Sequence, residues 1–197
     1  FLFCLPLLPK FFLQESIPTA EPVSTESSSA GSATVSQLEE AEPAPEPEPQ
    51  PLVQTVRFSA TGDNLIHSPI YKQAKRRAAG TEGYSFDYCY EHIAPFYVQQ
   101  DVNWINQETL CTDELEPSTY PCFSTPGDCA RALYRAGVRV FSLSNNHTYD
   151  KGASGIAATL RFWRSMPEDL VTTGLWKGKS DYGHIPLQTV NGVTIAY

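Results

Sequence analysis

The chain has 197 residues, with 22 acids against 14 bases, a formal net charge of −8 and a pI near 4.9. The excess charge is local. The eight glutamates between Gln14 and Gln54 supply all of it, and the remainder holds 14 acids against 14 bases. The acidic pI therefore carries no information about a ligand of the folded part, and nothing in the charge balance resembles a basic nucleic-acid footprint.

The chain opens at Phe1, its only methionine is Met166, and it ends in the apolar run Val193–Tyr197, so it reads as a piece open at both ends. Residues 1–13 are apolar but carry Lys10 and are interrupted by Pro6 and Pro9. They are too short and broken to span a bilayer and read as the remnant of a signal sequence or N-terminal anchor. Residues 14–54 contain seven prolines, many serines and no aromatic residue. Such a segment cannot bury enough apolar surface to offset its ordering entropy, which predicts a disordered Pro/Glu/Ser-rich linker. Residues 55–197 remain, enough for one core. Together the three segments place a domain outside the cell or at its surface.

Within that part, Thr55–Thr61 alternates apolar and polar residues as a half-buried strand does, and Gly62-Asp63-Asn64 breaks it. Ser68-Pro69 opens a helix to about Ala79, with Ser68 as its cap. The basic residues Lys72, Lys75, Arg76 and Arg77 fit its solvated face. A helix is expected near Glu91–Tyr97 and a short buried strand over Val102–Ile105, which runs into Asn106-Gln107-Glu108. Thr109–Thr125 reads as a long polar loop. Its Cys111 and Cys122 are candidates for a disulfide in an oxidising compartment, with Cys89 and Cys129 as competing partners. Pro126-Gly127-Asp128 starts a helix over Cys129–Ala136 that Gly137 ends. The strand Val138–Leu143 delivers Ser144-Asn145-Asn146-His147. A helix over Gly152–Trp163 and a strand at Val171–Thr173 follow. Strands Leu187–Val190 and Val193–Tyr197 then flank Asn191-Gly192, a strong hairpin signal. This alternation predicts an α/β fold with a largely parallel sheet.

Three polar clusters each follow a predicted strand: Gly62-Asp63-Asn64, Asn106-Gln107-Glu108 and Asn145-Asn146-His147. In open parallel sheets ligands bind beyond the carboxyl ends of the strands, so the clusters should converge. Carboxylates, amide carbonyls and an imidazole suit hard or borderline divalent ions such as Mn²⁺, Mg²⁺, Fe²⁺ or Zn²⁺. No cysteine cluster points to structural zinc. Asp150 either orients His147 or caps the next helix, and His67 stands near the mouth of the same region. His92 and His184 read as surface or loop residues, and Trp104, Trp163 and Trp176 as packing.

The runs GDNLIH (Gly62–His67), INQE (Ile105–Glu108) and AGVRVFSLSNNHTYDKGASG (Ala136–Gly155) resemble successive motifs of the CapA-like, poly-γ-glutamate-synthesis family of capsule proteins. That family belongs to the calcineurin-like metallophosphatase superfamily. The resemblance implies the N-terminal part of a layered α/β/β/α sandwich, truncated at its C-terminus. It implies two divalent ions in the complete protein, with Asp63, Glu108 and Asn146 as ligands and His147 as general acid or phosphoryl contact. Asn64, His67, Asn106, Asn145 and Asp150 then stand around them or touch substrate. The sequence departs from the superfamily in having no Asp-x-His on the first strand and no His-x-His before Tyr197, so the late histidines are expected further along a longer chain. The implied function is a surface metal-dependent hydrolase of capsule or poly-γ-glutamate synthesis or export. It would act on a phosphoester or surface polymer, beside a polymer-synthase membrane complex and with no nucleic acid. The alternatives are a non-catalytic polymer-binding or assembly component that keeps the fold and, on the superfamily's breadth, a nucleotidase.

Overall fold

A computed structural model describes residues 53–197. The anchor remnant (1–13) and the linker (14–54, except its last two residues) lie outside the described residues.

The first strand, β1 (Phe58–Asp63), begins later than predicted and continues through the expected break. Gly62 is absorbed as an irregularity in the pairing, where the register shifts between Thr61 and Asp63. Helix α1 (Ser68–Arg77) has His67, not Ser68, at its N-cap, and no side chain caps it. The N–H of Ser68 instead meets the hydroxyl of Thr119 at 3.3 Å. The four basic residues of α1 are exposed as expected. Arg77 lies over the Tyr88 ring at 4.1 Å. The single helix expected near Glu91–Tyr97 is two one-turn helices, α2 (Asp87–Tyr90) and α3 (Ala94–Tyr97). Pro95 stands in the first turn of α3, where its missing N–H costs nothing, and a longer helix through that position would lose a bond.

Strand β2 (Val102–Asn106) follows. The segment Thr109–Thr125 is not simply a polar loop. It holds β3 (Cys111–Thr112) and β4 (Thr125–Pro126), which pair in parallel. Leu110, Cys111 and Phe123 are buried there, because three apolar side chains gain more from the core than from solvent. Cys111 is fully buried with its thiol 3.6 Å from the carbonyl of Pro126, Cys122 is exposed, and both are free thiols, so the expected disulfide is not formed.

Helix α4 (Gly127–Ala136) buries Cys129, Ala130, Ala132, Leu133 and Ala136. A side chain at Gly127 would stand 2.4 Å from the Phe162 ring, so only glycine allows this approach. Gly137 ends the helix with φ 113°. Strand β5 (Val140–Ser142) is shorter than predicted. The N–H of Val138 closes α4 on the Leu133 carbonyl at 3.0 Å, so Val138 serves the helix end and not the ladder. Helix α5 (Gly152–Arg164) packs Trp163 on Phe141, ring centroids 4.8 Å apart. The chain ends with β6 (Val171–Thr173), β7 (Leu187–Val190) and β8 (Val193–Ala196). The β7–β8 hairpin turns on Asn191 and Gly192, φ 50° and 79°, as the dipeptide predicts.

The main sheet has the order β1-β2-β5-β6, and every pair in it is parallel. The expected α/β class with a parallel sheet is therefore the observed one, and all four carboxyl ends lie along one edge. Leu133, Val138, Phe86 and Phe141 are fully buried and anchor the core. No helix among the described residues is long and apolar enough to cross a membrane.

Candidate functional site

Asp63 is the last residue of β1 and pairs in register with Asn106, the last of β2. Asn106 donates its amide to Asp63 Oδ1 at 2.6 Å. Its own Oδ1 is buried and has no partner among the described residues. Two residues on stands Glu108, its side chain 13% exposed. Its carboxyl is pushed up from the ordinary range, first by burial and then by the neighbouring Asp63 carboxylate, while His147 and His67 pull it down. Two carboxyl groups are thus crowded at adjacent strand ends, and crowding of like charge favours the neutral form.

The chain leaving β5 turns back to meet them. Asn145 accepts the His147 N–H at 2.9 Å and donates its amide to the Gln107 carbonyl at 2.9 Å. An isolated parallel bridge ties His147 to Thr109, directly after Glu108. These bonds bring His147 Nε2 to 4.0 Å from Glu108 Oε1. The other ring nitrogen, Nδ1, lies 2.8 Å from Asp150 Oδ2. The same oxygen accepts the Phe123 N–H at 2.7 Å. Asp150 therefore orients His147 and does not cap α5, whose N-cap is Lys151. A carboxylate at Nδ1 holds the proton on that nitrogen and leaves Nε2 facing Glu108.

Phe123 is 1% exposed, and histidine rings stand edge-on to it on two sides. His147 is 4.7 Å and His67 5.0 Å from it, centroid to centroid. His67 also reaches the Thr119 hydroxyl at 3.2 Å, so it borders the site with its ring fixed.

Sequence reasoning thus grouped Asp63, Asn106, Glu108, His147 and Asp150, and the fold brings them together. Asn64 and Asn145 act differently from ligands. Asn64 is buried, and both its amide groups bond inside the protein. Asn145 shapes the turn that carries His147. Asn146, expected as a ligand, is exposed, and its side chain makes no hydrogen bond among the described residues. Gln107, Tyr90, Cys129 and Phe123 were missed. Gln107 lay within a polar motif, and its neighbours in sequence do not reveal that its side chain turns inward. For Phe123 the only signal was a lone phenylalanine in a polar stretch.

The donors suit the expected ions in kind. Two carboxylates, an unpartnered buried amide oxygen on Asn106 and an imidazole nitrogen are what a hard or borderline divalent ion takes. Besides burial, the groups acting on Glu108 are Asp63, His147 and His67, so the carboxyl pair has imidazoles near it. Among the described residues, no three His, Cys, Asp or Glu side chains already enclose one ion. The arrangement is two pairs sharing Glu108.

The model of the family described as bacterial capsule synthesis protein PGA_cap matches residues 57–197. The capsule biosynthesis protein CapA of Bacillus anthracis is 29% identical over 118 residues, 57% of this chain and 28% of its own length. The chain thus aligns with little more than a quarter of that relative.

Proposed function

The chain belongs to the bacterial capsule synthesis protein family, and from that premise we propose that the polar cluster at its strand ends is a metal-dependent phosphoester-hydrolase site working at the cell surface. The observation that carries this reading is Glu108, flanked by the Asp63 carboxyl on one side and by His147, backed by Asp150, on the other. Asp63 and Glu108 would hold the ion, with Asn106 fixing the first of them through its 2.6 Å bond. A bound divalent ion would supply Lewis-acid chemistry, polarising a phosphoryl group and acidifying water. Asn146 is exposed and would have to turn inward to join as a ligand.

His147 does the proton work. Asp150 keeps the ring oriented and holds a proton on Nδ1. A second proton, when present on Nε2, can pass to a leaving oxygen, and the Asp150 carboxylate offsets the charge of the ring that carries both. Phe123 excludes water from one side of the imidazole. The Bacillus anthracis relative is named for capsule biosynthesis, which supports a substrate drawn from a surface polymer or its phosphoester precursors, handled beside a membrane-bound polymer synthase.

The test is calorimetric titration of the purified protein with Mn²⁺ and Zn²⁺, followed by assay of p-nitrophenyl phosphate hydrolysis. Binding that Asp63→Asn and Glu108→Gln each weaken at least tenfold, with hydrolysis lost in both, is the expected result. Binding unaffected by Glu108→Gln would overturn the assignment. Metal binding without hydrolysis of any phosphoester would shift the role to polymer binding or assembly.

A further inference from the structure

Beneath the strand-end carboxylates lies a buried polar chain that neither the fold nor the proposed chemistry has required. Asn64 follows Asp63, and Gln107 precedes Glu108. Neighbouring residues on extended backbone point to opposite sides, so each strand-end carboxylate has an amide partner facing the interior. The two amides meet there, with Asn64 Nδ2 donating to Gln107 Oε1 at 2.7 Å. Asn64 is 8% and Gln107 1% exposed.

The bond continues in both directions. Tyr90 of α2 donates its hydroxyl to Asn64 Oδ1 at 2.9 Å. Asn64 Nδ2 also lies 3.3 Å from the thiol of Cys129 on α4, and the Tyr90 hydroxyl lies 3.1 Å from that thiol. Gln107 Nε2 donates to the Thr109 carbonyl and hydroxyl at 3.3 and 3.2 Å. The Thr109 hydroxyl shares a hydrogen bond with Thr125 of β4 at 2.6 Å. Every polar group of the two amides is satisfied. Main-chain bonds carry the pairing past the strand ends, from Asn64 N–H to the Asn106 carbonyl at 2.8 Å and from Gln107 N–H to that of Ser142 at 2.9 Å.

Apolar side chains could fill this space with no desolvation cost, whereas each buried amide loses water and recovers only what its partners return. What directional bonds add is a fixed geometry, since apolar packing is non-directional. We infer that the Asn64–Gln107 pair is a positioning clasp, which sets the separation and aim of the Asp63 and Glu108 carboxylates by locking together the residues on the opposite side of the same two backbones. The inference rests on the metal-site reading and adds two positioning residues to it. The clasp touches no substrate and no ion. It acts only through the carboxylates it holds apart.

The experiment separates positioning from stability. In Gln107→Leu, Asn64 Nδ2 keeps only the weak sulfur acceptor, so the protein should melt lower and bind Mn²⁺ more weakly. In the double variant Asn64→Val/Gln107→Leu both amides are gone. Tyr90 retains the Cys129 thiol and the Thr109 hydroxyl retains Thr125, so the one further loss is the long 3.3 Å bond of Gln107 to the Thr109 carbonyl. Its melting temperature should return close to that of the wild type, because replacing both partners of a buried bond by apolar groups is nearly neutral. Its Mn²⁺ affinity, measured by calorimetry, should stay about 10- to 100-fold weaker, the scale for losing groups that orient metal ligands. A double variant that melts like the wild type and binds Mn²⁺ equally well overturns the clasp and leaves the metal site standing. A double variant that melts as low as Gln107→Leu also overturns it, because the pair would then be holding the fold. A wild-type protein that binds neither Mn²⁺ nor Zn²⁺ overturns the metal-site reading and the clasp with it.

Discussion

Replacing Asp150 by asparagine changes almost no volume and should remove the charge behind His147 without moving the proton from Nδ1. In the wild-type protein Asp150 Oδ2 takes hydrogen bonds from His147 Nδ1 at 2.8 Å and from the Phe123 N–H at 2.7 Å, with the side chain 12% exposed. An asparagine oxygen can keep the Phe123 bond. The same oxygen can go on accepting from Nδ1, so the single proton of a neutral ring stays there, and what is lost is the negative charge behind the ring. Hydrogen bonds to an ionised acceptor contribute about 1.5–3 kcal/mol and neutral ones about 0.5–1.5 kcal/mol. Exchanging two of the first kind for two of the second costs about 2–3 kcal/mol. At about 2–4 °C per kcal/mol for a domain of this size, the melting temperature should fall by roughly 4–12 °C. Turnover should fall further, by about two to four powers of ten, because the ring that carries both protons loses the carboxylate that offsets its charge. Nitrogen-15 NMR of the histidine ring reads the tautomer directly, without any assay of activity. A wild-type His147 with its proton on Nε2, or an Asp150→Asn protein with the turnover of the wild type, would refute the reasoning.

His147→Ala should lower phosphoester turnover by about two to four powers of ten while leaving metal content nearly intact, which elemental analysis checks; a variant that purifies without metal would make His147 a ligand. Leu133 is fully buried on α4, so Leu133→Ala should cost about 2–5 kcal/mol in urea unfolding, and a loss under about 1 kcal/mol would mean the helix does not seal the core. Arg57 holds the Asp101 carboxyl below its ordinary range, chiefly through their side-chain hydrogen bond. A carboxyl depressed on folding adds stability above its unfolded pKa, and that contribution is lost as pH falls through the lower folded value. Asp101→Asn should therefore flatten the loss of stability below about pH 4 and leave its slope near neutrality unchanged, as acid titration of the melting temperature would show.

The α/β class, the parallel sheet and the convergence of three polar motifs were legible in the sequence because each depends on local periodicity and on where a strand must end. Val102–Ile105 and Gly152–Trp163 reappear almost unchanged, and Asn191-Gly192 turns its hairpin, since the positive φ values needed there suit few other residue pairs. The grouping of Asp63, Glu108 and His147 was likewise readable as strand-end chemistry. Their orientation was not. One irregularity at Gly62 decides which way Asp63 faces, and one isolated bridge decides that His147 and not Asn146 turns toward Glu108. The burial of Phe123 and the meeting of Asn64 with Gln107 across 43 positions of sequence belong to tertiary structure alone. Composition marks a residue as polar or apolar, but only the approach of α2, α4 and the Thr109–Thr125 segment settles whether a polar side chain finds its partners inside. A hydrogen bond is decided within a few tenths of an ångström, a precision that local pattern does not carry.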